Sequence, residues 1–589
     1  MDRDRSALAS ASPAPASAGD AARRSGLISL AWLWILPLTF LAVFYLYPLA
    51  SILRLSFARA EAGALAPLLE TITSPLAAKV VGFTFYQATL STLLTLLVGL
   101  PGAYLLARYR FRGKSLLRAL TGVPFVMPTL VVAAAFNALL GPRGWVNLAL
   151  MELLGLSAPP IQFTNTLGAI LVAHVFYNTT IVLRLVGDFW AHLDPHLTGA
   201  ARTLGAGPWR ALREVTLPLL SPAIAAASLL VFLFDFTSFG VILILGGPKF
   251  ATLEVEIYYQ TVSLFNLPVA ATLALIQLLF TFLLTALYTR LTLRISRPMR
   301  LRAASFTERP LVPWRRRFTA SLLILLLVVF LLTPLLALAA RSFTRFGPAP
   351  RGQEVRQGFT LENYSQLSED PQGSLFYVPP TAAIRNSLAY ASLTVLLALG
   401  VGLPAAYALA RDSGSRLNRL LDPLLMLPLG TSAVTLGLGF IVALDQPPLD
   451  LRASPILVPI AHTLVAFPFV VRSLTPALRS IHPRLRQAAA TLGANPRQAL
   501  LFIDLPLVGR ALLVAAVFAF TISMGEFGAT ALIARPEFPT VPLAIYRYLS
   551  RPGAINFGQA MALSTILMVI TGAGMLGIER FRIAEVGEF

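Results

Sequence analysis

The chain has no cysteine, which excludes disulfides, thiolate metal ligands and cysteine nucleophiles whatever its surroundings. Charge is scarce too. Only 13% of residues are Asp, Glu, Lys or Arg, about half the share of an ordinary soluble domain. Acids are the scarcer sign, 27 against 47 bases, and no cluster of carboxylates or histidines of the kind an active site needs stands out. A phosphate-binding loop is missing as well. Gly113-Lys114-Ser115 imitates the end of one, but Arg108 stands where the first glycine belongs and no strand precedes it, so ATP hydrolysis is not expected in this polypeptide.

What the chain has instead is apolar length. Of its 589 residues 56% are hydrophobic and the mean hydropathy is +0.73, which places it in a lipid bilayer. The formal charge of +20 then reads as basic cytoplasmic loops rather than as a nucleic-acid footprint. Residues 1–26 are small, polar and proline-bearing, the composition of a disordered tail. Apolar runs of about 20 residues, each able to cross a layer of roughly 30 Å, predict twelve spans. They fall near 28–52, 82–107, 116–140, 166–188, 220–246 and 266–289, then 318–340, 385–410, 420–444, 455–475, 508–534 and 557–579. The expected fold is an all-α polytopic membrane protein with a first transmembrane domain over 27–289, a basic linker over 290–317 and a second domain over 318–589. The linker region carries nine arginines from Arg290 to Arg317; with RYRFRGK (108–114) and RDSGSRLNR (411–419), it marks the cytoplasmic side and puts both termini there.

The two domains are copies. A shift of 288 residues superposes His174 on His462, Arg184 on Arg472, Gly205 on Gly493, Leu217-Pro218 on Leu505-Pro506, Phe239-Gly240 on Phe527-Gly528, and Ile257-Tyr258 on Ile545-Tyr546. Upstream the shift becomes 303, matching VGLPGAYLLAR (98–108) to VGLPAAYALAR (401–411). Six spans is an even number, so the halves run parallel, related by an axis near the membrane normal.

Each copy contains a basic, glycine- and proline-punctuated stretch between apolar runs, GAARTLGAGPWRALREVTLPL (199–219) and QAAATLGANPRQALLFIDLPL (487–507). Asp194-Pro195 and His482-Pro483 open a short helix, Gly205 and Gly493 suit a left-handed end, and Leu-Pro introduces the next span. The Ala-Ala, Gly and Leu-Pro spacing resembles the cytoplasmic loop signature of binding-protein-dependent ABC importer permeases, with Gly199 and Gln487 where the family has Glu. The resemblance implies the type I importer permease fold, here as a fused dimer. It further implies that Gly199, Ala200, Ala201, Leu204, Gly205, Leu217 and Pro218, with Gln487, Ala488, Ala489, Leu492, Gly493, Leu505 and Pro506, dock two copies of a peripheral ATP-binding subunit. ATP and Mg would sit on that partner, an extracytoplasmic solute-binding protein would deliver the solute, and the chain itself would carry no cofactor. The fused form is similar to thiamine and ferric-iron permeases of the bacterial inner membrane.

Asp235 and Glu526 interrupt the fifth spans, and their repeat partners are Ser523 and Ser238. Intramembrane acids normally face a cavity or a partner, so a path lined by Asp235, Ser238, Phe239, Ser523, Glu526 and Phe527 and suited to a cation is expected. No carboxylate follows His174 or His462 at ligand spacing, so these read as packing hydrogen-bonders and no metal site is expected. A twelve-span transporter driven by an ion gradient would also explain parallel halves, but gives no reason for the doubled loops.

Overall fold

The structure, a computed structural model, describes residues 32–57, 66–295, 308–344, 358–369, 378–411, 416–445, 447 and 449–581. The expected tail at 1–26 and the linker segment 296–307 lie outside the described residues. Apart from a two-residue parallel pairing of Tyr109–Arg110 with Arg309–Pro310 and one isolated bridge, the described elements are helical.

Among the described residues ten helices are long and apolar enough to cross a membrane, and the number becomes twelve when each of two bent pairs counts as one span. The bent pairs are Arg416–Gly430 with Ala433–Ala443, at 96°, and Pro496–Leu507 with Gly509–Gly525, at 73°. Three more breaks interrupt spans expected to be continuous. The stretch expected at 116–140 is two helices, Lys114–Val126 and Thr129–Leu140, broken where Pro128 can donate no backbone hydrogen bond. The fifth spans stop at Phe236 and Gly525, and short helices restart at Gly240–Leu245 and Thr530–Ile533. Hydropathy cannot see such breaks, because the residues on either side are equally apolar.

Within each half the second and fourth spans touch at a missing side chain. A Cβ on Gly99 would lie 2.7 Å from Val182, and one on Gly402 would lie 2.7 Å from Val470, the same repeat positions. Small residues at a helix crossing let backbones approach where lipid supplies no hydrophobic drive.

The first helix of each half also packs into the opposite half. Trp34, Phe40, Leu41 and Tyr45 are buried with Leu436, Phe440, Leu457 and Phe467 of the second half, and the Tyr45 hydroxyl meets Thr431 Oγ1 at 2.6 Å. Reciprocally Leu331, Leu335 and Leu338 from Trp314–Ser342 join Ile170 and Phe176 of the first half. This exchange interlocks the copies. Glu254 adds a polar tie across the same boundary, accepting from Ser432 Oγ at 2.6 Å.

Candidate functional site

The repeated loops form matched helices, Pro195–Thr203 and Pro483–Thr491. Asp194 caps the first through its carboxylate, accepting from the His196 amide at 2.9 Å, and His482 does the same for the second with Nδ1, accepting from Arg484 at 3.2 Å. Gly205 and Gly493 end them with φ of +89° and +86°, a left-handed conformation that glycine adopts without steric cost. The amides of Ala206 and Ala494 then close back on the carbonyls of Ala201 and Ala489 at 3.0 Å. Leu204 and Leu492 are each 88% exposed, and Leu197 and Leu485 repeat a second exposed apolar pair seven residues earlier. Ala200, Ala488, Leu217, Pro218 and Pro506 are exposed, while Gly199, Ala201, Ala489 and Leu505 are half-covered and Gln487 faces outward. Beyond each loop a five-residue π turn, Leu212–Thr216 or Leu500–Asp504, leads into Leu-Pro and the fifth span. Isolated π turns of this kind recur at functional positions.

The breaks in the fifth spans place two aromatic side chains at the seam between the halves. Phe239 and Phe527 stack with ring centroids 5.3 Å apart and planes at 20°. Tyr258 lies 5.3 Å from Phe239, and Tyr546 lies 5.5 Å from Phe527. The two phenol groups also interact directly with each other. All four are repeat pairs, so the quartet straddles the pseudo-two-fold axis. Gly240 leaves room for it, since a Cβ there would stand 3.3 Å from the Phe527 ring.

The acids do not join that quartet. Asp235 is buried within its own half, where Asn178 Nδ2 donates to it at 2.7 Å and His174 Nδ1 lies 3.3 Å away. Ser238 meets the other ring nitrogen of His174 at 2.9 Å. In the second half Ser523 takes the Nδ1 side of His462 at 2.7 Å and Glu526 the Nε2 side at 3.1 Å. Glu526 also accepts from the amides of Ala529 and Thr530, at 2.8 and 3.2 Å, capping the helix that restarts there. Of the six residues expected along a path, the structure therefore brings Phe239 and Phe527 together across the seam and turns Asp235, Ser238, Ser523 and Glu526 into two histidine networks. A buried carboxylate demands hydrogen-bond donors, and the nearest ones lie in its own helix bundle. The two tyrosines were missed, although Tyr258 and Tyr546 already stood as a repeat pair in the sequence. Gly113-Lys114-Ser115 opens the helix Lys114–Val126, with Gly113 at its N-cap and Lys114 paired with Glu308 at 2.6 Å.

Two interlocked halves of apolar helices, an aromatic stack at the seam between them and one exposed loop helix on each define a polytopic permease. The family described as "Binding-protein-dependent transport system inner membrane component" matches residues 99–297 and again 399–579, and the chain belongs to it. The thiamine transport system permease protein ThiP of Salmonella typhimurium is 28% identical over 492 residues, covering 81% of this chain and 85% of the relative. ThiP of Brucella abortus is 29% identical over 505 residues, covering 85% and 87%. A probable ABC transporter permease protein of Sinorhizobium fredii, y4fN, is 28% identical over 524 residues, covering 86% and 88%. The chain is thus a membrane-embedded transport permease with two copies of the family domain.

Proposed function

We infer that this permease is the membrane component of an ATP-driven importer and that its solute is thiamine or a closely similar aromatic cation. The observation that carries the reading is the pair of loop helices, alike to the left-handed glycine and the 88% exposed leucine. A mere connector has no need of two identical exposed surfaces, whereas two copies of a peripheral ATPase subunit would require them. On this reading Leu204 and Leu492 enter the ATPase subunits, which carry ATP and Mg, and the π turns hand the motion to the fifth spans. The loops and both termini then face the cytoplasm, the membrane is the bacterial inner membrane, and a solute-binding protein docks on the other side.

The seam supports the solute class. Phe239, Phe527, Tyr258 and Tyr546 offer ring faces, which attract an organic cation and stack on an aromatic one. The relatives named as thiamine permeases point to the same chemistry. Asp235, Ser238, Ser523 and Glu526 hold the backbone breaks that present those rings.

The test is reconstitution of the purified chain with its ATPase and solute receptor in vesicles, followed by uptake of labelled thiamine. Uptake that requires ATP, the ATPase and the receptor is expected. Uptake driven by an ion gradient with no bound ATPase would overturn the reading.

A further inference from the structure

The two loop helices look alike from outside but are anchored differently beneath. Arg486, in the second loop helix, donates from Nε to both oxygens of Asp504, at 2.8 and 3.1 Å, and Asp504 is fully buried at the last position of the π turn. The repeat positions in the first half are Thr198 and Thr216, whose hydroxyls meet at 3.4 Å. One pair of positions therefore joins the loop helix to the π turn that enters the fifth span in both halves, by a charge-assisted contact to two carboxylate oxygens in one and a long hydroxyl contact in the other.

Two further differences run the same way. Asp504 also accepts from the Tyr407 hydroxyl, and Arg411 Nη1 donates to that hydroxyl at 3.0 Å, so the second anchor reaches the end of the helix Pro380–Arg411. In the first half Tyr104, the counterpart of Tyr407, meets Tyr109 instead at 3.3 Å. After the glycine, Asn495 and Gln498 form a reciprocal capping box, each accepting from the other's amide at 2.9 Å, where the first half has Gly207 and no side-chain cap.

We propose that the two docking loops are mechanically inequivalent: Arg486 and Asp504 are positioning residues that yoke the second loop rigidly to its fifth span, while the first loop rides on a compliant hydroxyl contact. Motion of a docked subunit reaches Phe527 through the second loop with little loss, and reaches Phe239 through the first only after slack is taken up. This rests on the importer reading for its consequence in transport, but the difference in stiffness belongs to the chain alone.

The experiment has two arms. In the first, the full chain in lipid nanodiscs, without partners, is followed by amide hydrogen exchange. The helix Pro483–Thr491 is expected to exchange about tenfold more slowly than Pro195–Thr203, equivalent to roughly 1.4 kcal/mol of local opening. The double variant Arg486→Thr with Asp504→Thr copies the first half and leaves no buried charge unpaired, so it is expected to fold and to abolish that difference. Equal exchange of the two helices in the native chain would overturn the proposal. In the second arm the chain is reconstituted with its ATPase and receptor. The Arg486→Thr, Asp504→Thr variant is expected to keep bound ATPase but lose about tenfold in ATP-driven uptake, whereas Thr198→Ala with Thr216→Ala loses less than about twofold. The reversed pair, Arg486→Asp with Asp504→Arg, is expected to recover uptake. Equal losses from the two halves, with exchange still unequal, would overturn the transport consequence. A native chain that shows no ATP-driven uptake would instead count against the importer reading and leave the exchange result standing.

Discussion

Phe239 and Phe527 are the same residue of two copies, and their rings stack on each other at 5.3 Å. A residue that meets its own repeat partner lies on the pseudo-two-fold axis, and on the importer reading proposed above that axis is the route of the solute. On that reading the stack closes the route at that level. Opening requires the two breaks after Phe236 and Gly525 to separate, and the same breaks stand one span away from the loop helices.

Removing either ring should open a leak. Phe239→Ala and Phe527→Ala each forgo a stacking contribution of about 0.5–1.5 kcal/mol beyond area burial. Vesicles loaded with labelled thiamine should lose it faster through either variant than through the native chain, without ATP. Unchanged efflux from both would deny the pair a sealing role.

The loop glycines should fail by backbone strain alone. Nothing lies within 4 Å of a Cβ added to Gly205 or Gly493, so clash is not the obstacle; the positive φ is. Gly205→Val and Gly493→Val should each distort the helix end at a cost of about 1–3 kcal/mol. Co-purification should show weakened ATPase association with normal membrane insertion.

At the helix crossings the failure is steric. Gly99→Val and Gly402→Val would press on Val182, whose Cβ and Cγ1 both lie at 2.7 Å, and on Val470, whose Cγ1 lies at 2.7 Å with Cβ at 3.3 Å. Each should lower stability by about 1–3 kcal/mol, the usual cost of overpacking. Thermal unfolding in detergent measures this, and the two shifts should be alike because the crossings are alike.

The histidine networks predict opposite tautomers. The acid faces Nδ1 in the first half and Nε2 in the second, so the ring proton should sit on Nδ1 of His174 and on Nε2 of His462. Nitrogen-15 shifts of selectively labelled histidine report this. Glu526→Gln should also be the costlier isostere, by about 1–3 kcal/mol, because an amide group would face the donors of Ala529 and Thr530. Asp235→Asn retains an acceptor for Asn178 and should stay closer to native stability and uptake.

Much of the architecture was legible before any coordinates. The repeat, the parallel halves and the loop helices follow from residue identity at fixed spacing, since Pro, Gly and Ala-Ala act through local backbone chemistry. The first helix of each half was legible as a span, yet not as one packing into the opposite half; hydropathy measures burial in an apolar medium and says nothing about which neighbour provides it. The asymmetry of the loops was hidden for another reason. Thr198 and Thr216, or Arg486 and Asp504, lie eighteen residues apart on either side of the left-handed glycine, and only the fold-back of the chain there brings them together.

What the sequence determined by itself is therefore everything enforced within a few residues or by repetition: a membrane chain, two copies, two loop helices ending in left-handed glycines. What only the tertiary structure decided is direction. Asp235 and Glu526 had to be in the membrane and had to be paired, but whether they faced each other across a path or a histidine in their own bundle depended on where the fifth spans break. Buried carboxylates go to the nearest donors, and those were fixed by packing between spans far apart in the chain. The seam was left to the rings of Phe239 and Phe527, which require no donors at all.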